Sequence, residues 1–149
     1  MLLSGIISLI IILIDQISKF LVSTTFSAET QVTVIPKVLR LIYVKNTGAA
    51  FSIFSEHVEF LGIISVLFSI IIILYAVKTR PTHPIHKLSI AFILGGAIGN
   101  GIDRIVRGYF IDFIETVFIE FPVFNIADIA ITTGAVLLII YMLFFEQKK

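Results

Sequence analysis

The chain has 149 residues, 58% of them hydrophobic and 14% charged. Soluble domains run near about 45–50% apolar and about 25% charged, so both departures predict a membrane protein with the length of one domain. A net charge of +1 leaves no footprint for nucleic acid, and the lack of cysteine excludes disulfides, a thiol nucleophile and a thiolate-bound metal.

Four apolar stretches approach the roughly 20 residues that a spanning helix requires. The first covers about residues 2–22. An apolar N-terminal run can also be a cleavable signal, but this one has no basic leader, continues past Asp15 and offers no small-x-small cleavage site. Asp15 and Lys19 lie four apart in it, acid before base, the favourable order for an ion pair on one helix face. Charges inside a membrane are usually paired, so these two are expected to be structural support.

Gln31-Val32-Thr33-Val34-Ile35 and Leu39-Arg40-Leu41-Ile42-Tyr43-Val44 are rich in β-branched and aromatic residues, with Pro36-Lys37 between them. They predict short strands in an outward β region over about residues 30–52. Asn46-Thr47-Gly48-Ala49-Ala50-Phe51-Ser52 follows, an amide among small residues that suits a tight turn and close backbone approach. The second span, about residues 60–77, leads to a polar link holding His83 and His86 beside Pro81 and Pro84. That His-x-x-His has no carboxylate beside it and makes a poor metal site, so neither a metal nor an organic cofactor is expected.

The third span, about residues 88–106, contains Gly95-Gly96-Ala97-Ile98-Gly99-Asn100. Small residues four apart let helices pack closely in lipid, which competes with any ligand role for them. Asn100, Asp103 and Arg104 need polar partners, and Asp103 can reach Arg107 four residues on. Asp112 then stands in Tyr109-Phe110-Ile111-Asp112-Phe113-Ile114. Asp128 stands in Phe124-Asn125-Ile126-Ala127-Asp128, at the start of the fourth span, about residues 126–145.

Lys78, Arg80 and Lys87 flank the link between spans two and three with no acid among them, and Lys148 and Lys149 end the chain. The positive-inside rule puts that face and both termini in the cytoplasm. The links over about residues 23–59 and 107–123, where basic and acidic residues mix, then face outward. The expected fold is an all-α membrane protein: four transmembrane helices, one domain, and a small extracytoplasmic β-sheet cradle between helices one and two.

A carboxylate among Phe and Ile near a membrane is costly to keep ionised and is a functional candidate by default. Asp112 and Asp128 flank one short outward link, so both can sit near the outer leaflet. Two such groups brought together share a proton, and one acid beside one base suits peptide hydrolysis. Each can also be an ordinary interfacial acid, Asp128 favoured by the positive end of its helix. No His-Glu-x-x-His and no Gly-x-Ser-x-Gly is present.

With these residues in place, the chain resembles the lipoprotein signal peptidases (signal peptidase II), bacterial membrane aspartyl proteases. The resemblance covers nearly the whole chain. It is carried by Asp15-x-x-x-Lys19, by Asn46-Thr47-Gly48-Ala49-Ala50-Phe51, by Gly95–Asn100 with Asp103-Arg104, by Asp112-Phe113, and by Phe124-Asn125-Ile126-Ala127-Asp128. Thr47 and Ile129 stand at positions not expected to be fixed.

The resemblance implies Asp112 and Asp128 as the catalytic pair, and Asn46, Gly48, Asn100, Arg104, Asn125 and Ala127 as substrate-binding lining. It implies Asp15, Lys19 and Asp103 as support, and a short helix or loop between helices three and four. The implied substrate is a prolipoprotein whose Cys carries diacylglycerol, cut on the N-terminal side of that Cys. The implied setting is the bacterial cytoplasmic (inner) membrane, with the site near the outer leaflet. Membrane lipid and lipopeptide inhibitors such as globomycin are the other implied partners. On the residues alone, a small proton-coupled transporter stays open, because membrane carboxylates also relay protons. So does a non-catalytic assembly factor whose polar residues only hold helices together.

Overall fold

The computed structural model describes residues 1–47 and 58–146. Its elements are α1 (Leu2–Thr25), β1 (Val32–Ile35), β2 (Leu39–Asn46), α2 (Val58–Thr79), α3 (Pro84–Ile102), β3 (Phe110–Thr116) and α4 (Ile126–Phe144). A π-helical turn, Asp103–Arg107, extends α3. Among the described residues, four helices are long and apolar enough to cross a membrane.

The helices bury polar and small side chains and present apolar ones outward, the arrangement that lipid favours. On α1 the buried residues are Ser4, Ser8, Ile11, Asp15, Lys19 and Val22, a single stripe at spacings of three and four. Ile10, Leu13, Ile14 and Ile17 between them are exposed. α2 turns Gly62, Ser65, Ser69 and Ala76 inward in the same way. α3 is the most buried helix and packs against the other three.

The glycines of α3 set its distances to its neighbours. A Cβ on Gly95 would stand 2.9 Å from Ile11 Cβ of α1, and one on Gly96 only 2.4 Å from the Ala127 carbonyl of α4. One on Gly99 would meet Asp15 Oδ2 at 2.7 Å. Packing therefore claims all three, as small residues do between helices in lipid.

The sheet is antiparallel, in the order β1-β2-β3. Pro36 and Lys37 turn β1 into β2: Val38 N–H donates to Ile35 O at 3.0 Å, and Lys37 takes a φ of 62°. This is the type II pattern, with Pro at its second position and positive φ at its third. β3 was not expected as a strand. The segment after helix three, expected to be a loop or short helix, is instead the sheet's third strand, and Gly108 (φ 71°) ends the π turn to make room for it. Phe110-Ile111-Asp112-Phe113-Ile114 is buried throughout, and Ile111, Phe113 and Ile114 pack with Val22. A run apolar on both faces of the strand lacks the alternation that marks a half-buried one.

Candidate active site

Four elements, β2, β3, α3 and α4, converge at the end of the bundle where the sheet lies. β3 carries Asp112, whose register with β2 places it opposite Val44, with Asn46 opposite Phe110. Between Leu41 and Val44 the register slips, a bulge that gives β2 one extra residue and re-aims its end. Asn46 Nδ2 thereby donates to Asp112 Oδ2 at 2.9 Å.

α4 supplies the second carboxylate through its N-terminal cap. Asn125 is the N-cap: its Oδ1 accepts from Asp128 N–H at 3.1 Å, and Asp128 Oδ2 accepts from Asn125 N–H at 3.1 Å. This reciprocal box satisfies two helix-end donors and fixes the Asp128 side chain. The rest of Asn125 reaches the other aspartate, its Nδ2 donating to Asp112 Oδ1 at 2.7 Å. Asn100 Nδ2 of α3 donates to Asp128 Oδ1 at 2.7 Å. The chain between β3 and α4 is pinned where it returns, with Phe124 N–H donating to Ile114 O at 3.0 Å and Ile114 N–H to Phe124 O at 2.8 Å.

Asp112 and Asp128 face one cavity of about 560 Å³. Asn46, Asn100, Arg104 and Asn125 share its wall, and Phe110, Phe121 and Ile129 make it apolar elsewhere. The Arg104 guanidinium lies over the Phe110 ring at 4.1 Å and bonds the Ser65 hydroxyl of α2. Its Nε is buried without a partner among the described residues. Burial pushes the Asp112 carboxyl from 3.8 up to about 6; the amide of Asn46 opposes the rise and the nearby Asp128 adds to it. A second, more open cavity of about 500 Å³ touches Asp112 from the sheet side, beside Lys45 and Glu120.

Behind this wall lies a fully buried charge cluster. Lys19 Nζ is 2.8 Å from Asp15 Oδ2 and 2.6 Å from Asp103 Oδ2, and donates to Asn100 Oδ1 at 3.1 Å. Asp15 Oδ1 accepts from Ala127 N–H at 2.9 Å, so the first turn of α4 rests on a carboxylate of α1. Arg107 pairs with Asp103, as the four-residue spacing suggests.

Ala127 does not reach the cavity wall: it is fully buried where α4 meets α3. Gly48, and the run from it to Ser52, lie outside the described residues. His83 and His86 lie at the opposite end of the bundle among aromatic rings, His86 stacked on Tyr141 at 4.3 Å and 3.1 Å from the Tyr75 hydroxyl.

Sequence reasoning missed Gln16, which donates to Asp103 Oδ1 at 3.2 Å and to Gly99 O at 3.1 Å and accepts from Arg107 at 3.0 Å. The signal was present: a polar residue in an apolar span needs partners, and Gln16 adjoins Asp15. It also missed Lys19 as a partner of Asp103, a contact 84 positions apart that no local spacing reveals.

The geometry has close counterparts. The family model for signal peptidase (SPase) II matches residues 7–144. The lipoprotein signal peptidase of Lactobacillus johnsonii is 39% identical over 143 residues, covering 96% of this chain and 93% of that protein. That of Enterococcus faecalis is 36% identical, covering 95% and 88%. A bacterial membrane enzyme solved by the in meso method at 2.3 Å resolution superposes with a TM-score of 0.89 at 33% identity, over 98% of this chain and 92% of that one. Matches this long, in sequence and in fold together, settle the family: the chain belongs to the signal peptidase II family of membrane-spanning bacterial proteases.

Proposed function

We propose that this protein removes the signal peptide from prolipoproteins whose cysteine already carries diacylglycerol, cutting on the N-terminal side of that cysteine, with Asp112 and Asp128 as the catalytic pair. The name borne by the relatives supports the substrate class. The observation that carries the chemistry is the Asn125 bridge. One residue bonds both carboxylates and holds them on one cavity wall.

Water between the two is the nucleophile. Asp128, ionised, takes its proton. Asp112, whose burial raises its carboxyl to about 6, holds the pair's shared proton and donates a hydrogen bond to the scissile carbonyl as charge grows on the oxygen. A bound apolar substrate excludes further water and favours the protonated form of Asp112 at higher pH. Neither a metal nor an organic cofactor enters these steps. Arg104, over the Phe110 ring, offers its charge to the substrate's carbonyls, and Phe110, Phe121 and Ile129 provide an apolar bed for acyl chains. Lipopeptides of the globomycin type suit the same cavity.

The site end of the bundle lies at the outer leaflet in this reading. Lys78, Arg80 and Lys87 lie at the other end and are cytoplasmic, together with both termini. A transporter of this size offers no account of two carboxylates gathered at one end of the bundle, away from the midplane where transport sites form.

The test is cleavage of a diacylated prolipoprotein by the purified protein in detergent. Asp112→Asn or Asp128→Asn is expected to lower kcat by about 10²-fold or more with the fold intact, because an amide cannot exchange the proton. Near-parental turnover by either variant overturns the assignment.

A further inference from the structure

We infer that Lys19, which nothing above places in contact with substrate, is a positioning residue for the aspartate pair: its ammonium sets which way the Asn100 amide points, and so keeps an N–H on Asp128. The inference rests on the proposed role of Asp128 and adds to it a device that governs that residue.

The argument is one of donor and acceptor polarity. An amide side chain has an accepting oxygen and a donating nitrogen, and the two ends exchange on a half-turn. An ammonium has donors only. Lys19 Nζ stands 3.1 Å from Asn100 Oδ1, so that end of the amide must be the oxygen. The nitrogen is then committed to Asp128 Oδ1 at 2.7 Å. Asn125 reinforces the choice, because its Nδ2 also donates to Asn100 Oδ1, at 3.2 Å. Asn125 is itself locked: its Oδ1 is held by the Asp128 backbone N–H, which can only donate. Both aspartates therefore receive N–H groups whose direction was fixed elsewhere. At Asp128 one of the two anchors is the buried cation.

Lys19 is placed for this as well as for pairing the two buried carboxylates beside it. It is fully buried, so it does not meet substrate. Asp15 and Asp103 hold its ammonium from two further directions, at 2.8 and 2.6 Å, and aim it at Asn100. Gly99, one residue before Asn100, leaves the space that the Asp15 carboxylate occupies. Without Lys19, the longer Asn125 contact at 3.2 Å is what still holds the Asn100 oxygen among the described residues, and the amide is freer to turn that oxygen toward Asp128. Two acceptors then face each other unless one takes up a proton, and the base of the reaction is lost.

The experiment compares the effect of Asn100→Ala on kcat and KM with and without Lys19, using the purified full chain and a diacylated prolipoprotein peptide. In the parent, Asn100→Ala is expected to lower kcat by about tenfold or more. Lys19→Met alone is expected to lower kcat to a similar degree with KM unchanged within about twofold. With Lys19 replaced, the further change Asn100→Ala should cost less than about threefold, because residues acting through one contact are not additive. Lys19→Met strands two buried carboxylates and can fail to fold. The same comparison is then made in Asp15→Asn/Lys19→Met/Asp103→Asn, which leaves no buried charge in the cluster unpaired. A loss from Asn100→Ala equal in the presence and absence of Lys19, or parental kcat in the folded Lys19 variant, overturns the inference. Failure of the parent itself to cleave the peptide overturns the aspartate reading instead, so the two are told apart.

Discussion

Asp112→Asn should change the pH dependence of stability as well as abolish turnover. The Asp112 side chain is only 4% exposed, and its carboxyl lies at about 6 against an ordinary 3.8. Between those values the folded protein holds a proton that the unfolded chain has released. The stability from that proton is fully present below about pH 3.8 and is lost as pH rises through about 6. Each unit of pKa is worth about 1.4 kcal/mol, and pH 4 already lies just above the unfolded value, so this one carboxyl costs about 2 kcal/mol between pH 4 and pH 7.5. On the scale of soluble domains of similar length that is roughly 4–8 °C in Tm. The assay is thermal unfolding in detergent of parent and Asp112→Asn at both pH values. All other groups titrate in both proteins, so the difference between the two Tm changes isolates the aspartate together with its coupling to Asp128. The absolute Tm of the variant is a poorer guide, because the new amide brings an N–H into a site where Asn46 and Asn125 already donate. The parent should lose several degrees more than the variant on going from pH 4 to pH 7.5. An equal change in both would show that Asp112 is not the desolvated group this geometry describes.

Gly99→Ala should destabilise the protein in detergent by several degrees and lower activity, since its Cβ would stand 2.7 Å from Asp15 Oδ2, whereas Gly5→Ala, with nothing within 4 Å, should match the parent in the same melting assay. Because the chain has no cysteine, single cysteines can report topology. A membrane-impermeant thiol reagent on intact spheroplasts should label one placed at position 46 or 120 but not at position 83, and the reverse pattern would invert the orientation. A non-cleavable lipopeptide with a central hydroxyl should inhibit competitively, because the hydroxyl takes the place of the attacking water and mimics the tetrahedral intermediate. Chelators should have no effect, and inhibition by a chelator reversed by zinc would refute the metal-free mechanism.

The helices and the polar residues gathered at the candidate site were legible for a shared physical reason. In an apolar span every polar residue is an exception that needs a partner, so Asp15, Lys19, Asn100, Asp103 and Asp128 stand out against Leu and Ile without any knowledge of the fold. The i, i+4 pairs Asp15–Lys19 and Asp103–Arg107 could be read because both partners lie on one helix turn. What joins the two pairs could not. Lys19 meets Asp103 and Asn100 only because Gly95, Gly96 and Gly99 let α1 and α4 close on α3, and the sequence marks those glycines as packing residues without saying which helix each one faces.

β3 shows where periodicity itself fails. Phe110–Ile114 is buried along its length: β2 and the chain returning through Phe124 pair with its edges, Ile111 and Phe113 pack with Val22 of α1, and Phe110 lies under the Arg104 guanidinium, so no alternation survives to mark a strand. That same cover accompanies the burial of Asp112. Had the segment been an exposed loop, as its position between two spans suggests, its carboxylate would sit in water near its ordinary value and serve poorly as the proton-holding member of a pair. The feature that hid the strand from sequence analysis is therefore the one that suits its aspartate to the acid–base role proposed for it. The bulge between Leu41 and Val44 completes the arrangement: it sets Val44 opposite Asp112, and from that register Asn46 reaches the carboxylate with its amide.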